Sequence, residues 1–453
     1  MKRSIKTKST LETLLVIGLI LIIPLFFAIN SAANQPEEPI SIVPASPEVV
    51  VNSPEESNEL KPKQPPACTF PLAEIATPES TSENYTFSEP QVVLTGTEGY
   101  YPLYVAQWLP DNQQVLVVQE IPGQQEGNAP NDVSISLYNL ETGESKLYAT
   151  GSRIGETPMW LPEINGVVYS SVTILNENPK DGFFEIHRKL WVSYGDPNAT
   201  QLLADNLQQP FIANPDGSGF MYLSNKQIAK LDRTLKESSS FFTFDPSQWD
   251  YAKERRNKIP VNYHMVWQPG TPLIFLYSMA GVVGTEGGYT YILDTAAGHI
   301  CELNFGGWAS SAQWSPDGRY LAIVRANSYT GISNSIDLVV LDSTTGNLRT
   351  VEANLPDVEG KYAIDDFTWT PDSLHLLAFT YIPSHDGYYD LYLIDLTTDQ
   401  STNLFPEFKS FGGSGHNFVW SPDGSKLLAR CPLTKSSLFV ADRYCLINVQ
   451  TVK

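Results

Sequence analysis

Six histidines are the side chains best suited to proton transfer and metal binding, because imidazole titrates near neutral pH. None stands in an HxxxH or HExxH arrangement, the spacing that places two imidazoles on one helix face for zinc. The six positions are His187, His264, His299, His375, His385 and His416. A metal site would therefore have to combine distant parts of the sequence. We predict no metal and no cofactor.

The sequence also lacks a serine nucleophile in a recognisable setting. Residues 412–416 (Gly-Gly-Ser-Gly-His) are the nearest string to the Gly-x-Ser-x-Gly elbow of serine hydrolases. The string lacks the final glycine and lies between predicted strands, and no α/β domain is present to hold a triad. We therefore predict that the chain is not an enzyme and assign no catalytic residue.

A short phrase, aromatic-x-Pro-Asp-Gly, recurs along the chain and predicts the elements that position these side chains. The best copies begin at Trp314 and Trp420, both reading Trp-Ser-Pro-Asp-Gly. Weaker copies begin at Trp108, Trp160, Asn214, Trp267 and Trp369. Successive copies lie 47 to 55 residues apart. A period of this size is typical of a repeat architecture.

Each repeat contains four apolar runs separated by turn signals. The first run ends at the Trp, and Pro-Asp-Gly then favours a tight turn, because Pro presets φ and Gly accepts positive φ. Three further runs follow, as in residues 320–324, 338–342 and the stretch after the Thr345-Gly-Asn turn. Four antiparallel strands in about 50 residues describe a propeller blade. The predicted fold is all-β, a seven-bladed β-propeller of four-stranded antiparallel blades.

These motifs resemble the TolB-type, or WD40-like PD40, propeller repeat, and the resemblance covers about residues 90–450. Asn214 replaces the usual Trp, and Pro269-Gly270 lacks the Asp. The family includes exported binding propellers and propellers fused to peptidases, so the resemblance implies the fold and leaves the function open.

The N-terminal region predicts export. A basic tail (1–12) precedes an apolar helical segment (13–34), and positive residues on the leading side are retained in the cytoplasm. The segment is interpreted either as a membrane anchor or as a signal peptide cleaved after 31–33 (Ser-Ala-Ala). Residues 35–89, rich in Pro, Glu and Ser, are predicted to form a disordered linker. Residues 90–453 would form the propeller, outside the cytoplasm.

Four cysteines fit this exported location, because disulfides persist outside the cytoplasm. Cys431 and Cys445 lie on predicted neighbouring strands of blade seven and are the preferred pair. Cys68 would then bind Cys301 and fix the linker to blade four. Four cysteines allow three pairings, so the alternatives stay open.

The charge balance limits the possible partners. The net charge is −21, from 29 basic and 50 acidic residues. Such a chain does not bind nucleic acid through phosphate contacts. We expect a monomer whose partner is a protein or a cell-envelope polymer, with membrane contact only through an uncleaved 13–34 segment. The charge also fits a simple role in solubility.

Long loops provide the candidate binding residues. If Pro-Asp-Gly joins the first two strands of each blade, the loops between strands two and three lie on the opposite face, together with the connections between blades. These loops are long, and binding usually lies in long loops on a rigid scaffold. The candidate contacts are Glu126, Trp308, Tyr329, His385, Tyr388 and His416.

Three functions follow from these observations. The first is a non-catalytic, exported propeller that binds a protein or envelope partner through its long loops. The second is a propeller enzyme, a polysaccharide lyase or hydrolase with its site at the central channel, where a cluster of His with Asp or Glu would be expected. The third is a purely structural spacer.

Closure of the ring requires a strand from outside the last repeat. The last repeat supplies three strands before the chain ends, and residues 91–95 (Gln-Val-Val-Leu-Thr) match the fourth runs of other repeats. We predict that this strand completes blade seven and removes an open sheet edge.

Deletion of residues 90–96 is expected to abolish cooperative folding, because blade seven would lose its outer strand. Thermal unfolding followed by circular dichroism measures the effect. A deletion variant that melts at the temperature of the intact chain would contradict this mode of closure.

Overall fold

The structure is a computed structural model, and it covers most of the predicted propeller. The residues described are 65–73, 84–96, 103–121, 132–152, 157–174, 186–207, 211–213, 219–224, 227–243, 263–278, 290–306, 308–326, 336–351, 353, 355, 363–382, 388–407, 418–431 and 443–452. Within these ranges, no helix is long and apolar enough to cross a membrane. The predicted helical segment 13–34 lies outside them, as does most of the predicted linker.

The described residues form seven antiparallel sheets arranged as blades. Two strands precede the first blade, β1 (Asn84–Phe87) and β2 (Gln91–Thr95). Blade one contains β3 (Leu103–Trp108), β4 (Gln114–Glu120), β5 (Asp132–Asn139) and β6 (Ser145–Ser152). Blade two contains β7 (Met159–Leu161), the 3-10 helix Pro162–Ile164, β8 (Gly166–Ile174), β9 (Ile186–Ser193) and β10 (Thr200–Asp205). Blade three contains β11 (Ile212–Ala213), β12 (Gly219–Ser224), β13 (Gln227–Asp232) and β14 (Glu237–Thr243).

The remaining blades follow the same order. Blade four contains β15 (Tyr263–Trp267), β16 (Leu273–Ser278), β17 (Thr290–Asp294) and β18 (His299–Glu302). Blade five contains β19 (Trp308–Trp314), β20 (Tyr320–Ala326), β21 (Ile336–Asp342) and β22 (Leu348–Thr350). Blade six contains β23 (Ala363–Trp369), β24 (His375–Ile382), β25 (Tyr388–Asp395) and β26 (Gln400–Asn403). Blade seven contains β27 (Phe418–Trp420), β28 (Lys426–Arg430) and β29 (Arg443–Val452). The predicted seven-bladed fold is confirmed.

The turn after each Trp forms as its chemistry requires. In blade five, Asp317 accepts hydrogen bonds from the Ser315 hydroxyl and the Arg319 amide, and Gly318 has a φ of 76°. In the weaker copies, Asn112 and Ser373 occupy the same position with φ of 56° and 62°. The left-handed conformation is therefore kept where glycine is absent. Asn tolerates this conformation better than most residues.

The hydrophobic core is divided among the blade interfaces. Each of the seven clusters of buried side chains combines residues of two neighbouring blades. Leu103 and Trp108 of blade one, for example, pack with Leu428 and Tyr444 of blade seven. The apolar surface of a blade is therefore removed from water only when both neighbours are in place.

The Trp that ends the inner strand connects one blade to the preceding one. Trp108 Nε1 donates to the carbonyl of Val419 in blade seven at 2.8 Å. Trp369 Nε1 donates in the same way to Gln313 of blade five at 3.0 Å. Both indoles are almost fully buried. The Trp residues predicted as blade-packing residues do pack between blades.

The ring closes through the N-terminal strands. β2 pairs with β29, with Gln91 opposite Leu446, so the strand predicted at 91–95 completes blade seven. β1 also pairs with β29, with Asn84 opposite Val452. This strand lies inside the predicted linker 35–89, so the propeller begins earlier than the predicted boundary at residue 90. The many prolines favoured a linker, whereas the alternating Tyr85 and Phe87 pack against the cluster of blades six and seven.

Two disulfides lie in the described part of the chain, and both join the preferred partners. Cys431 and Cys445 connect the end of β28 to β29, with Cα atoms 5.0 Å apart. Cys68 and Cys301 connect residues 65–73 to β18, with Cα atoms 4.9 Å apart. Residues 65–73 are thus part of the folded body and not of a disordered linker.

We expect Trp108→Phe to destabilise the protein by about 1–2 kcal/mol more than Trp314→Phe. Both substitutions remove the same indole atoms from a buried site, but only Trp108 donates a hydrogen bond to the neighbouring blade. Within the described residues, Trp314 Nε1 has no hydrogen-bond partner. Urea unfolding of the two variants measures the difference. Equal losses would show that the indole hydrogen bond contributes nothing to stability.

Candidate functional site

The strand topology gives the ring two unequal faces. The turns from strand one to two and from strand three to four lie on one face, as at 315–319 and 343–347 of blade five. We call this the tight-turn face. The connections between strands two and three lie on the opposite face. The long ones follow β4, β8, β16, β20 and β24 and end at β5, β9, β17, β21 and β25. We call this the long-loop face, and connections between successive blades also lie there.

The candidate contacts predicted from the sequence fall mostly outside the described residues. Glu126, Tyr329, His385 and His416 all lie in the undescribed segments. The backbone of Trp308 begins β19, opposite Ala326, and that of Tyr388 begins β25, opposite Ile382. Both positions are on the long-loop face. The role of each candidate side chain stays a prediction.

The four described histidines do not converge. His187 binds Asp205 at 2.7 Å, and His264 stacks on Tyr277, both on the long-loop face. His299 and His375 begin β18 and β24 on the tight-turn face. Within the described residues, no group of three His, Cys, Asp or Glu side chains is placed to hold a metal ion.

The most buried ionisable pair has a structural role. His375 Nδ1 lies 2.8 Å from Asp372 Oδ2. Asp372 also accepts hydrogen bonds from the Thr370 hydroxyl and the Leu374 amide at 2.6 and 3.0 Å. Burial favours a raised pKa for Asp372, but its hydrogen bonds with His375 and Thr370 outweigh this and lower the pKa. The ring of Tyr85 packs edge-on against His375 at 5.5 Å. The pair therefore fixes the turn of blade six.

Arg325 stiffens the base of the long-loop face in blade five. Its Nη2 lies 2.8 Å from Asp337 at the start of β21, and its Nη1 donates to the Phe305 carbonyl at 2.9 Å. Arg325 thus joins both strands that flank segment 327–335 to the chain entering from blade four. The ends of this long segment are held in a defined position.

His264 is the ionisable group on the long-loop face with the clearest electrostatic environment. Its ring stacks on Tyr277 with centroids 5.0 Å apart and planes 19° apart, while the residue remains exposed. Partial burial against protein, and then the positive charge of Arg188, lower the pKa of His264 from its ordinary 6.5. Burial raises the pKa of the Tyr277 hydroxyl to about 12, so this ring stays neutral. Blades two and four therefore influence one another electrostatically on this face.

The tight-turn face carries two clefts between blades that the sequence did not reveal. One, of about 260 Å³, lies between blades five and six and is lined by Tyr320, Val340, Asp342, Asn347, Arg349, Ser373, Leu374, Leu396 and Thr397. The other, of about 720 Å³, occupies the equivalent place between blades one and two. Asp342 and Arg349 of the first cleft correspond to Asn139 and Lys146 of the second. In both blades the two residues are seven positions apart and flank a Thr-Gly turn, and this spacing is the sequence signal for them.

The charges of the smaller cleft are already paired. Arg319 Nη2 lies 2.9 Å from Asp342 Oδ2, and Arg349 Nη1 lies 2.5 Å from Asp399 Oδ1. Burial favours a raised pKa for Asp342, but the hydrogen bonds from Arg319 and Thr344 outweigh it and lower the pKa. These pairs link blade five internally and to blade six, so the cleft presents little net charge to a ligand.

Comparison with known proteins finds similarity among solved structures. No protein-family model and no curated protein matches it. The β-propeller domain of the trilobed protease from Pyrococcus furiosus is 12% identical with a TM-score of 0.47, covering 78% of this chain and 98% of that domain. An oligogalacturonate lyase in complex with manganese is 13% identical with a TM-score of 0.49, covering 82% and 97%. A putative TolB from Agrobacterium tumefaciens is 15% identical with a TM-score of 0.38, covering 82% and 100%.

These similar structures differ in what they do, since they include a lyase, a protease domain and a TolB protein. Their TM-scores are all below 0.5, so the likeness decides nothing about the function of this chain. Its own strand pairing shows a seven-bladed β-propeller, and its function has to be argued from its own residues.

We expect Arg188→Gln to raise the pKa of His264, because it removes a nearby positive charge. The matched control is Arg233→Gln, which removes one positive charge from the tight-turn face of blade three. NMR titration of the His264 ring in both variants measures the effect. An unchanged His264 pKa in Arg188→Gln would show that Arg188 of blade two has no electrostatic effect on His264 of blade four.

The sign of the stability effect follows from the direction of the shift. A folded-state pKa below that of the unfolded chain means that protonation favours unfolding. The stabilising effect of neutral His264 on the free energy of unfolding is therefore fully present above about pH 6.5, and it is lost as the pH falls through the folded-state pKa of His264. His264→Gln is expected to reduce the loss of stability between pH 7 and pH 5.

Proposed function

We propose that this chain is an exported, non-catalytic propeller that binds a protein or cell-envelope polymer through its long-loop face. The observation that carries the proposal is the unequal distribution of chain between the two faces. Connections on the tight-turn face are short and closed by hydrogen bonds, as at Ser315 and Ser421. The long segments between the second and third strands of the blades, such as 175–185, 279–289 and 327–335, begin and end on the other face.

The scaffold beneath those segments is rigid enough to present a binding surface. The strands that flank segment 327–335 pair without interruption from Tyr320 opposite Asp342 to Ala326 opposite Ile336. Arg325 then ties their ends to Phe305. Long loops on a fixed base lose less conformational freedom on binding than loops on a mobile one. This supports recognition by the loops rather than by the strands.

The composition of segment 327–335 favours a partner with uncharged and aromatic surface. Segment 327–335 (Asn-Ser-Tyr-Thr-Gly-Ile-Ser-Asn-Ser) carries no charged residue, although the chain as a whole has a net charge of −21. Tyr supplies a large contact area at low entropic cost, and Ser and Asn supply hydrogen bonds. A protein surface or an uncharged glycan meets this chemistry.

The proposed location rests on the cysteines. All four are paired, and the Cys68–Cys301 bond joins parts of the chain 233 residues apart. Such bonds are retained in oxidising compartments and are rare in the cytosol. A place in the periplasm or outside the cell accounts for them.

Site-specific photo-crosslinking in the native envelope tests the proposed face. A photoreactive residue replaces Tyr329 in segment 327–335, whose flanking strands end on the long-loop face, and in a separate variant it replaces Glu141 in an exposed turn of the tight-turn face. We expect one defined crosslinked partner from position 329 and none from position 141.

A matched pair of triple variants extends the test to affinity. Trp308→Ala, Tyr329→Ala and Tyr388→Ala together are expected to weaken partner binding at least about tenfold, a loss that a single aromatic hot-spot contact is enough to cause. Glu141→Ala, Lys236→Ala and Thr345→Ala together, on the tight-turn face, should leave it unchanged. Equal recovery of the partner by both variants, with unchanged melting curves, would exclude the long-loop face as the binding surface.

A further inference from the structure

Residues 65–73, which we call the strap, lie on the outside of blades four and five. The Cys68 amide donates to the Glu302 carbonyl at 3.0 Å, and the Glu302 amide donates to the Pro66 carbonyl at 2.8 Å. Ala67 forms a parallel bridge with Glu302. The strap thus lies along the outer edge of blade four and joins it by one parallel bridge and two backbone hydrogen bonds.

Covalent and apolar contacts fix the strap further. The Cys68–Cys301 bond attaches it to β18. The ring of Phe70 lies against Gly346, where an added Cβ would come within 2.5 Å of it. The Leu72 amide donates to the Ser343 carbonyl of blade five at 2.9 Å. Cys68, Phe70 and Leu72 all pack into the cluster between blades four and five. The strap is therefore anchored at two blades.

The closing strands that follow in sequence pack into the ring but have no covalent anchor against a pulling force. Asn84 at the start of β1 pairs with Val452 at the end of the antiparallel partner. Tension on the chain before Asn84 would act at one end of this ladder and open its pairs one after another. Each backbone hydrogen bond contributes only about 1 kcal/mol. The second disulfide joins Cys431 to Cys445 and leaves β1 and β2 without a covalent link to β29.

The order of these elements determines where tension enters the ring. The strap precedes β1 in sequence, but it is attached to blade four, whereas β1 and β2 belong to blade seven. Tension from residues before 65 therefore reaches Cys68 first. From there it passes through the disulfide to Cys301 and into the body of blade four.

We propose that the strap is a covalent clamp that carries tension arriving from the N-terminal region, so that the strands closing blade seven carry none. Reduction of the Cys68–Cys301 bond removes the clamp, and the same tension then peels β1 and β2 from β29. This property is independent of the partner bound by the long-loop face.

Single-molecule pulling on the full-length chain tests the clamp. One handle is attached at residue 40, and the other replaces the exposed Lys236 in a turn of blade three. Apart from gradual stretching of the chain between residue 40 and the strap, the oxidised protein should show no discrete extension step before the ring itself unfolds. The Cys68→Ser/Cys301→Ser variant should show an early, low-force extension of up to about 90 Å, the extended length of the chain from residue 68 to 95.

A matched control and a second measurement make the outcome decisive. The Cys431→Ser/Cys445→Ser variant keeps the clamp and should lack the early step. In addition, a protease site placed within 74–83 is cut in the oxidised protein. The cut chain should still carry the load, and mild reductant should then release the N-terminal piece. Loss of load on cutting alone, or an early step in the oxidised intact protein, would overturn the proposal.

Discussion

The packing of each blade against its two neighbours is the interaction on which the structure depends. A four-stranded sheet cannot cover both of its own apolar faces. Every cluster of buried side chains in the described chain is shared between two blades. The last of these layers, between blades seven and one, forms only when the ring is closed. Stability is therefore cooperative around the ring, and the closing contact matters as much as any other.

This constraint explains why polar groups reinforce the blade junctions on the tight-turn face. Lys426 of blade seven donates to the Asn112 carbonyl of blade one, and Arg349 of blade five binds Asp399 of blade six. Gln107 accepts a hydrogen bond from the amide of Trp160 in the next blade. These contacts fix the angle between blades. They also place polar side chains of the tight-turn face in structural contacts, so that the loops of the long-loop face are the part whose sequence is free to vary.

The N-terminal part of the chain shows how connection in sequence and connection in space differ. The strap binds blades four and five, and β1 and β2 bind blade seven. The strap on blades four and five is thus followed in sequence by strands of blade seven, and β2 then leads from blade seven into blade one. A closed ring allows this, because its outer edges accept strands from any part of the chain that can reach them.

The repeated Trp-x-Pro-Asp-Gly phrase was sufficient to predict the blade number, the strand order and the closing strand at 91–95. Those features depend on local turn chemistry and on strand periodicity, which neighbouring residues determine. The phrase could not predict that Tyr85 packs against His375 or that Phe70 lies on Gly346, because these contacts join residues hundreds of positions apart.

For the site, the sequence identified a face but no cluster of side chains. The turn chemistry determined which connections are short, and the lengths between repeats determined which are long. Only the tertiary structure decided that the described histidines separate onto two faces and that the charges of the smaller cleft between blades pair with one another. The physical reason is that backbone conformation is set by each residue and its neighbours. Burial, electrostatic pairing and the path of tension are set by segments that meet only when the ring closes.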